Sequence, residues 1–102
     1  MKAVWMAVAA VGVLAVGPVN AQEKLAQTSG CMTCHGIDKK IVGPSYKDVA
    51  AKYRNDKGAE AKLFAKVKNG GKGAWGDIPM PPNAHVKDAD IKSLVHWILS
   101  LK

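Results

Sequence analysis

The chain has 102 residues, with 15 Lys and Arg against 8 Asp and Glu for a formal net charge of +7, and two cysteines. That length allows one small domain with little apolar interior, the size class that commonly relies on a disulfide, a metal or a cofactor. The lysines are scattered, without an aromatic-interleaved basic stripe or a nucleic-acid motif, so the charge points to an acidic protein partner and away from DNA or RNA.

Lys2 is followed by an apolar run from Ala3 to Val16, broken by Gly12, and then by Val19-Asn20-Ala21. This is the pattern of a secretory signal peptide cut after Ala21. The run is shorter than the roughly 20 residues a spanning helix needs, so a removed leader is expected, with no stable membrane insertion afterwards. Residues 1–21 are then the leader and 22–102 the mature domain. Loss of Lys2 leaves 14 basic and 8 acidic residues, a net charge of +6.

Gln22 to Ser29 reads as a short amphipathic helix around Leu25, ended by Gly30. Next comes Cys31-Met32-Thr33-Cys34-His35. Two thiols one turn apart can add to the two vinyl groups of haem, which leaves the following histidine as an axial ligand to iron. Other uses of the two cysteines are a zinc site, a redox pair or a disulfide. A structural zinc wants a second ligand pair, and the remaining histidines, His85 and His96, stand eleven residues apart. A thioredoxin-like motif belongs between a strand and a helix, and no convincing strand is found. In an oxidising compartment the pair closes to a disulfide unless haem captures both sulfurs first. Covalent haem also supplies the missing staple, at roughly 25 cal/mol per Å² of apolar contact. The chain without haem is therefore expected to be largely unfolded.

Ile41-Val42-Gly43-Pro44 breaks the chain, and Ser45 can cap a helix carrying Tyr46, Val49, Ala50 and Tyr53 on one face. Asn55 to Gly58 is a turn. Ala59 to Asn69 forms a third helix with Ala61, Phe64, Ala65 and Val67 as inward candidates, stopped by Gly70 and Gly71. The Gly- and Pro-rich stretch from Gly70 to Ala84 is long for so small a domain and needs a reason, which the cofactor provides. The last helix starts with Asp88 as N-cap and Asp90 in its first turn, and repeats apolar residues at Ile91, Leu94, Val95, Ile98 and Leu101. The fold class is all-α: about four short helices wrapped around one haem.

The sixth iron ligand follows by elimination. Met1 and Met6 leave with the leader, and Met32 lies in the attachment loop on the His35 side. Met80 remains, within Ile78-Pro79-Met80-Pro81-Pro82, where the prolines fix φ and stiffen the loop. A His/Met pair is also a usual set for electron-carrying c-type haem. His85, beyond the prolines, and His96, on the outer side of the last helix, are the alternatives.

Cys31 to His35, Val42-Gly43-Pro44, Gly73-Ala74-Trp75-Gly76, Ile78 to Asn83 and Trp97-Ile98-Leu99-Ser100 together resemble the small bacterial class I cytochromes c of the c551/c552 type. The resemblance covers essentially the whole mature chain. It implies that the Pro44 carbonyl accepts from the His35 ring N–H, a contact that orients a ligating histidine. It also implies that Asn83 donates to the Met80 sulfur, that Trp75 donates to a haem propionate, and that Lys66 lies near the same propionate. Some relatives have Arg at that last position, and Lys offers a point contact in place of a fork.

The implied function is that of a periplasmic, monomeric monohaem electron carrier, not an enzyme. It would cycle iron between ferric and ferrous states and serve redox proteins of a respiratory, denitrifying or photosynthetic chain. Lysines such as Lys72 around an exposed haem edge favour brief encounters with acidic docking surfaces. The competing class is a haem enzyme or sensor with an open sixth position, and Met80 discriminates between the two.

Overall fold

The structure is a computed structural model that describes residues 20–102; most of the leader reading, residues 1–19, lies outside the described residues. Among the described residues there are four α-helices, α1 (Ala21–Thr28), α2 (Tyr46–Tyr53), α3 (Ala59–Asn69) and α4 (Asp88–Ser100), and one 3-10 turn at Cys31–Thr33. Among the described residues there is no strand. Two isolated antiparallel pairs, His35 with Lys40 and Gly71 with Met80, pin the loops.

Each helix start has a local cause. In α1 the Asn20 side chain accepts from the Gln22 N–H at 2.8 Å, the usual role of an Asn N-cap. The helix therefore begins at Ala21, one residue before the expected start, and its cap precedes the expected cut. In α2 the Ser45 hydroxyl accepts from the Asp48 N–H at 3.1 Å, as the sequence suggests. Gly58 precedes α3 and has no side chain to offer. Asp56 takes over, accepting from the Gly58 N–H at 2.8 Å and from the Lys62 ammonium at 2.7 Å. The start of α4 differs from the expectation: Lys87 is the N-cap and Asp88 is the first helical residue. Asp88 reaches across to Lys68 at 2.8 Å instead, which ties α4 to α3, while Asp88 and Asp90 in the first turn still complement the helix dipole.

Helix α4 is the hub, packing on α1, α2 and α3. One side of it joins Leu94, Trp97 and Ile98 to Ala26, Tyr46 and Val49, and the other joins Ile91 and Val95 to Val86, Leu63, Phe64 and Val67. Burying each large aliphatic side chain contributes roughly 1.5–3 kcal/mol. Trp97 belongs to this core along with the expected Ile91, Leu94, Val95 and Ile98. In α3 the expected inward face is corrected: Ala61 and Ala65 are exposed, and Ala59, Leu63, Phe64 and Val67 face the interior. Spacing alone could not choose between two faces that both carried small or apolar residues.

Candidate functional site

Cys31, Cys34, His35 and Met80 line one cleft, together with Pro44, Tyr46, Lys66, Trp75 and apolar side chains from α2, α3 and α4. The histidine side is built by folding the chain back on the 3-10 turn. The Val42 and Gly43 amides both donate to the Cys34 carbonyl, at 3.1 and 2.7 Å, and the Tyr46 amide donates to the Gly36 carbonyl at 2.9 Å. This brings the Pro44 carbonyl to 2.7 Å from His35 Nδ1. A carbonyl can only accept, so Nδ1 carries the ring proton and Nε2 keeps its lone pair free.

Two residues hold that ring in ways the sequence did not announce. Tyr46 stacks against it, with centroids 5.2 Å apart and planes 22° from parallel, and then meets Trp97 edge-on at 5.6 Å. Gly43 lies so close that a Cβ there would sit 2.5 Å from His35 Cε1. The Val-Gly-Pro string was a visible signal, but its reason is this close approach. Tyr46 is buried, and burial first, then the nearby Cys31 sulfur, push its hydroxyl well above the usual phenol range. Burial likewise raises the Cys31 thiol. Both cysteine side chains are half-buried.

The methionine side hangs from the end of α3. Gly71 and Met80 exchange backbone hydrogen bonds at 3.0 and 2.8 Å. Gly70 makes this possible: its φ is +73°, and a Cβ there would overlap the Met80 carbonyl. Asn83 completes the anchor, because its backbone N–H and its side-chain amide both donate to the Val67 carbonyl at 3.0 Å. The same amide nitrogen lies 3.2 Å from the Pro81 carbonyl. Asn83 thus donates to the backbone of α3 and of its own loop.

Lys66 lies over Gly71, where a Cβ would meet its ammonium at 2.7 Å, and lines the cleft. Trp75 is not a core residue: it is 45% exposed and stands at the cleft mouth with Val42 and Ile78, which are 47% and 68% exposed. Lys40 and Lys72 line the same cleft. The alternative histidines do not enter it. His85 is exposed, and His96 pairs with Glu60 at 3.0 Å on the outer side of α4. No group of three His, Cys, Asp or Glu side chains gathers to hold a metal among the described residues.

The donor set suits haem. Two thiols, an imidazole with a free Nε2, a thioether and an apolar lining share one cleft, and glycine stands where a side chain would push the imidazole aside.

The Cytochrome c family model matches residues 20–102. The chain is 65% identical over 77 residues to cytochrome c-551 of Allochromatium vinosum, covering 76% of this chain and 82% of that protein. It is 47% identical to cytochrome c-552 of Nitrosomonas europaea over the full length of both. The crystal structure of wild-type Nitrosomonas europaea cytochrome c552 superposes with a TM-score of 0.75 at 51% identity, covering 78% of this chain and 98% of that one.

Proposed function

From this chain's membership of the cytochrome c family, with one covalently attached haem c and the work of an electron carrier, we propose that it is a periplasmic shuttle whose iron is held by His35 and Met80. The observation that carries the reading is the 2.7 Å contact between His35 Nδ1 and the Pro44 carbonyl, which frees Nε2 in the same cleft that Met80 lines. When bound, haem c supplies a one-electron ferric/ferrous couple, and a thioether ligand favours the ferrous side.

The residues divide the work. Cys31 and Cys34 tether through thioethers. Pro44 fixes the tautomer and plane of His35, and Tyr46 packs its face. With His35 and Met80 both holding the iron, no site would be left for oxygen, peroxide or substrate, and transfer would be outer-sphere. Lys66 and the Trp75 indole are the donors proposed for the propionates. Val42, Trp75 and Ile78 form an apolar rim at the cleft mouth, with Lys40 and Lys72 beside it. Such a surface suits short-lived docking of a monomer onto acidic redox partners.

The periplasmic location rests on the leader pattern and on the cut expected after Ala21 (residues 1–21 removed, 22–102 retained). No helix among the described residues is long and apolar enough to cross a membrane.

The test is optical. The oxidised haem protein should show the weak red-edge sulfur-to-iron band, and the reduced form should ignore carbon monoxide. A missing band with ready carbon monoxide binding would mean an accessible iron and would move the protein to the enzyme or sensor class.

A further inference from the structure

We infer that Lys52 is a positioning residue: it straps the Gly73–Gly76 turn, and through it the Met80 segment, to the last turn of α2. Its ammonium donates to the Ala74 carbonyl at 2.9 Å and lies 4.7 Å from the centroid of the Trp75 ring. Two consecutive residues of one loop are thus held by one cation from another element. The turn they occupy is closed by the Gly73 N–H on the Gly76 carbonyl at 2.9 Å, and it is framed by the Gly71–Met80 pair.

The loop has little else to hold it. Residues 72–79 are exposed, and Gly70, Gly71, Gly73 and Gly76 all have positive φ. Among the described residues, Lys52 makes the one side-chain hydrogen bond that reaches this stretch. Helix α2 therefore touches both sides of the cleft. Its first residue, Tyr46, stacks on His35, and Lys52 in its last turn grips the loop that leads to Met80. One rigid element then sets the separation of the two proposed ligands. A strained or lengthened sulfur contact is the expected result when the grip is lost.

The effect on Met80 rests on the ligand assignment above; the strap itself does not. The experiment uses the haem-loaded protein and the variants Lys52→Met, Lys52→Arg and, as a charge control on the neighbouring turn, Lys57→Met. Amide hydrogen exchange is read at Gly73, whose N–H closes the turn, and the rate of cyanide uptake by the ferric form reports how readily Met80 gives way. Lys52→Met should speed exchange at Gly73 by about fivefold to sixtyfold, the range expected for an exposed cation–π contact plus one hydrogen bond. Cyanide uptake should accelerate in the same variant. Lys52→Arg, which keeps both a donor and a cation over the ring, should restore both rates, and Lys57→Met should change neither.

Unchanged exchange in Lys52→Met would overturn the strap. Faster exchange with unchanged cyanide uptake would overturn its reach to Met80. If the wild-type ferric spectrum lacks the sulfur-to-iron band, the ligand assignment fails, while the exchange rates still decide the strap.

Discussion

At the scale of single residues, the site depends on what is left out as much as on what is present. Gly43 has no Cβ because the His35 ring occupies that space: an added methyl would lie 2.5 Å from Cε1 and 2.9 Å from Nδ1. Neither the ring nor the Cys34-bonded backbone of Gly43 can retreat freely, since Pro44 holds one and the turn holds the other. Gly43→Ala should therefore cost about 1–3 kcal/mol, as overpacking of a tight site does. It should also disturb the bond between Nδ1 and the Pro44 carbonyl. Thermal melting of the haem-loaded variant checks this, and a melt indistinguishable from wild type would show that the ring is less confined than described.

At the scale of elements, loops are anchored by side chains that act as substitutes for missing backbone partners. Asn83 is the clearest case, with two N–H groups on the Val67 carbonyl. Asn83→Ala leaves the backbone donor and removes the other, so the expected loss is about 1 kcal/mol, seen as a melting point lower by several degrees. A large change in reduction potential with an unchanged melt would instead assign the amide to the Met80 sulfur. Asp56 plays the same substitute role at the start of α3. The hydrogen bond from Lys62, then that from the Gly58 N–H, holds its carboxyl below the ordinary carboxylate value. A depressed folded pKa means that its stabilising share is present above the unfolded value and fades as pH falls through the folded one. An NMR titration of Asp56 should show the low midpoint, and Lys62→Met should return it towards the usual range.

These anchors also mark where sequence reading ran out. The Ser45 cap, the bounds of α3 and the apolar stripe of α4 were legible because each depends on neighbours within a turn or two. Cys31, Cys34, His35 and Met80 were legible as a group that one cleft brings together, because residue chemistry and spacing leave few alternatives. The Asn83–Val67, Lys52–Trp75 and Asp88–Lys68 contacts were not, because each joins residues 16 to 23 positions apart. A lone Asp88 before a helix looks like a cap until its partner on α3 is known.

At the scale of the whole molecule, three of the exposed large apolar side chains gather at the cleft. The apolar rim of Val42, Trp75 and Ile78 lies at the cleft, with Lys40 and Lys72 lining it. His96 and Glu60 pair on the far side of α4. Transfer to an acidic partner should therefore slow steeply as salt rises, because screening acts on the encounter more than on the apolar contact. Stopped-flow rates over a range of ionic strength measure this; a flat profile would remove the lysines from recognition.

The central place of α4 also fixes an order of events in time. The element that packs on every other helix is the last thirteen residues before the C-terminal pair. A chain still being synthesised or threaded thus has its tether early and its hub late. It cannot close around the half-buried cysteines until its final turn has arrived. Until then the tether stands on a chain whose helices α1, α2 and α3 lack their common packing partner. A haem-attached chain ending at Lys87 should then show no cooperative melt, and adding α4 as a separate peptide should restore one.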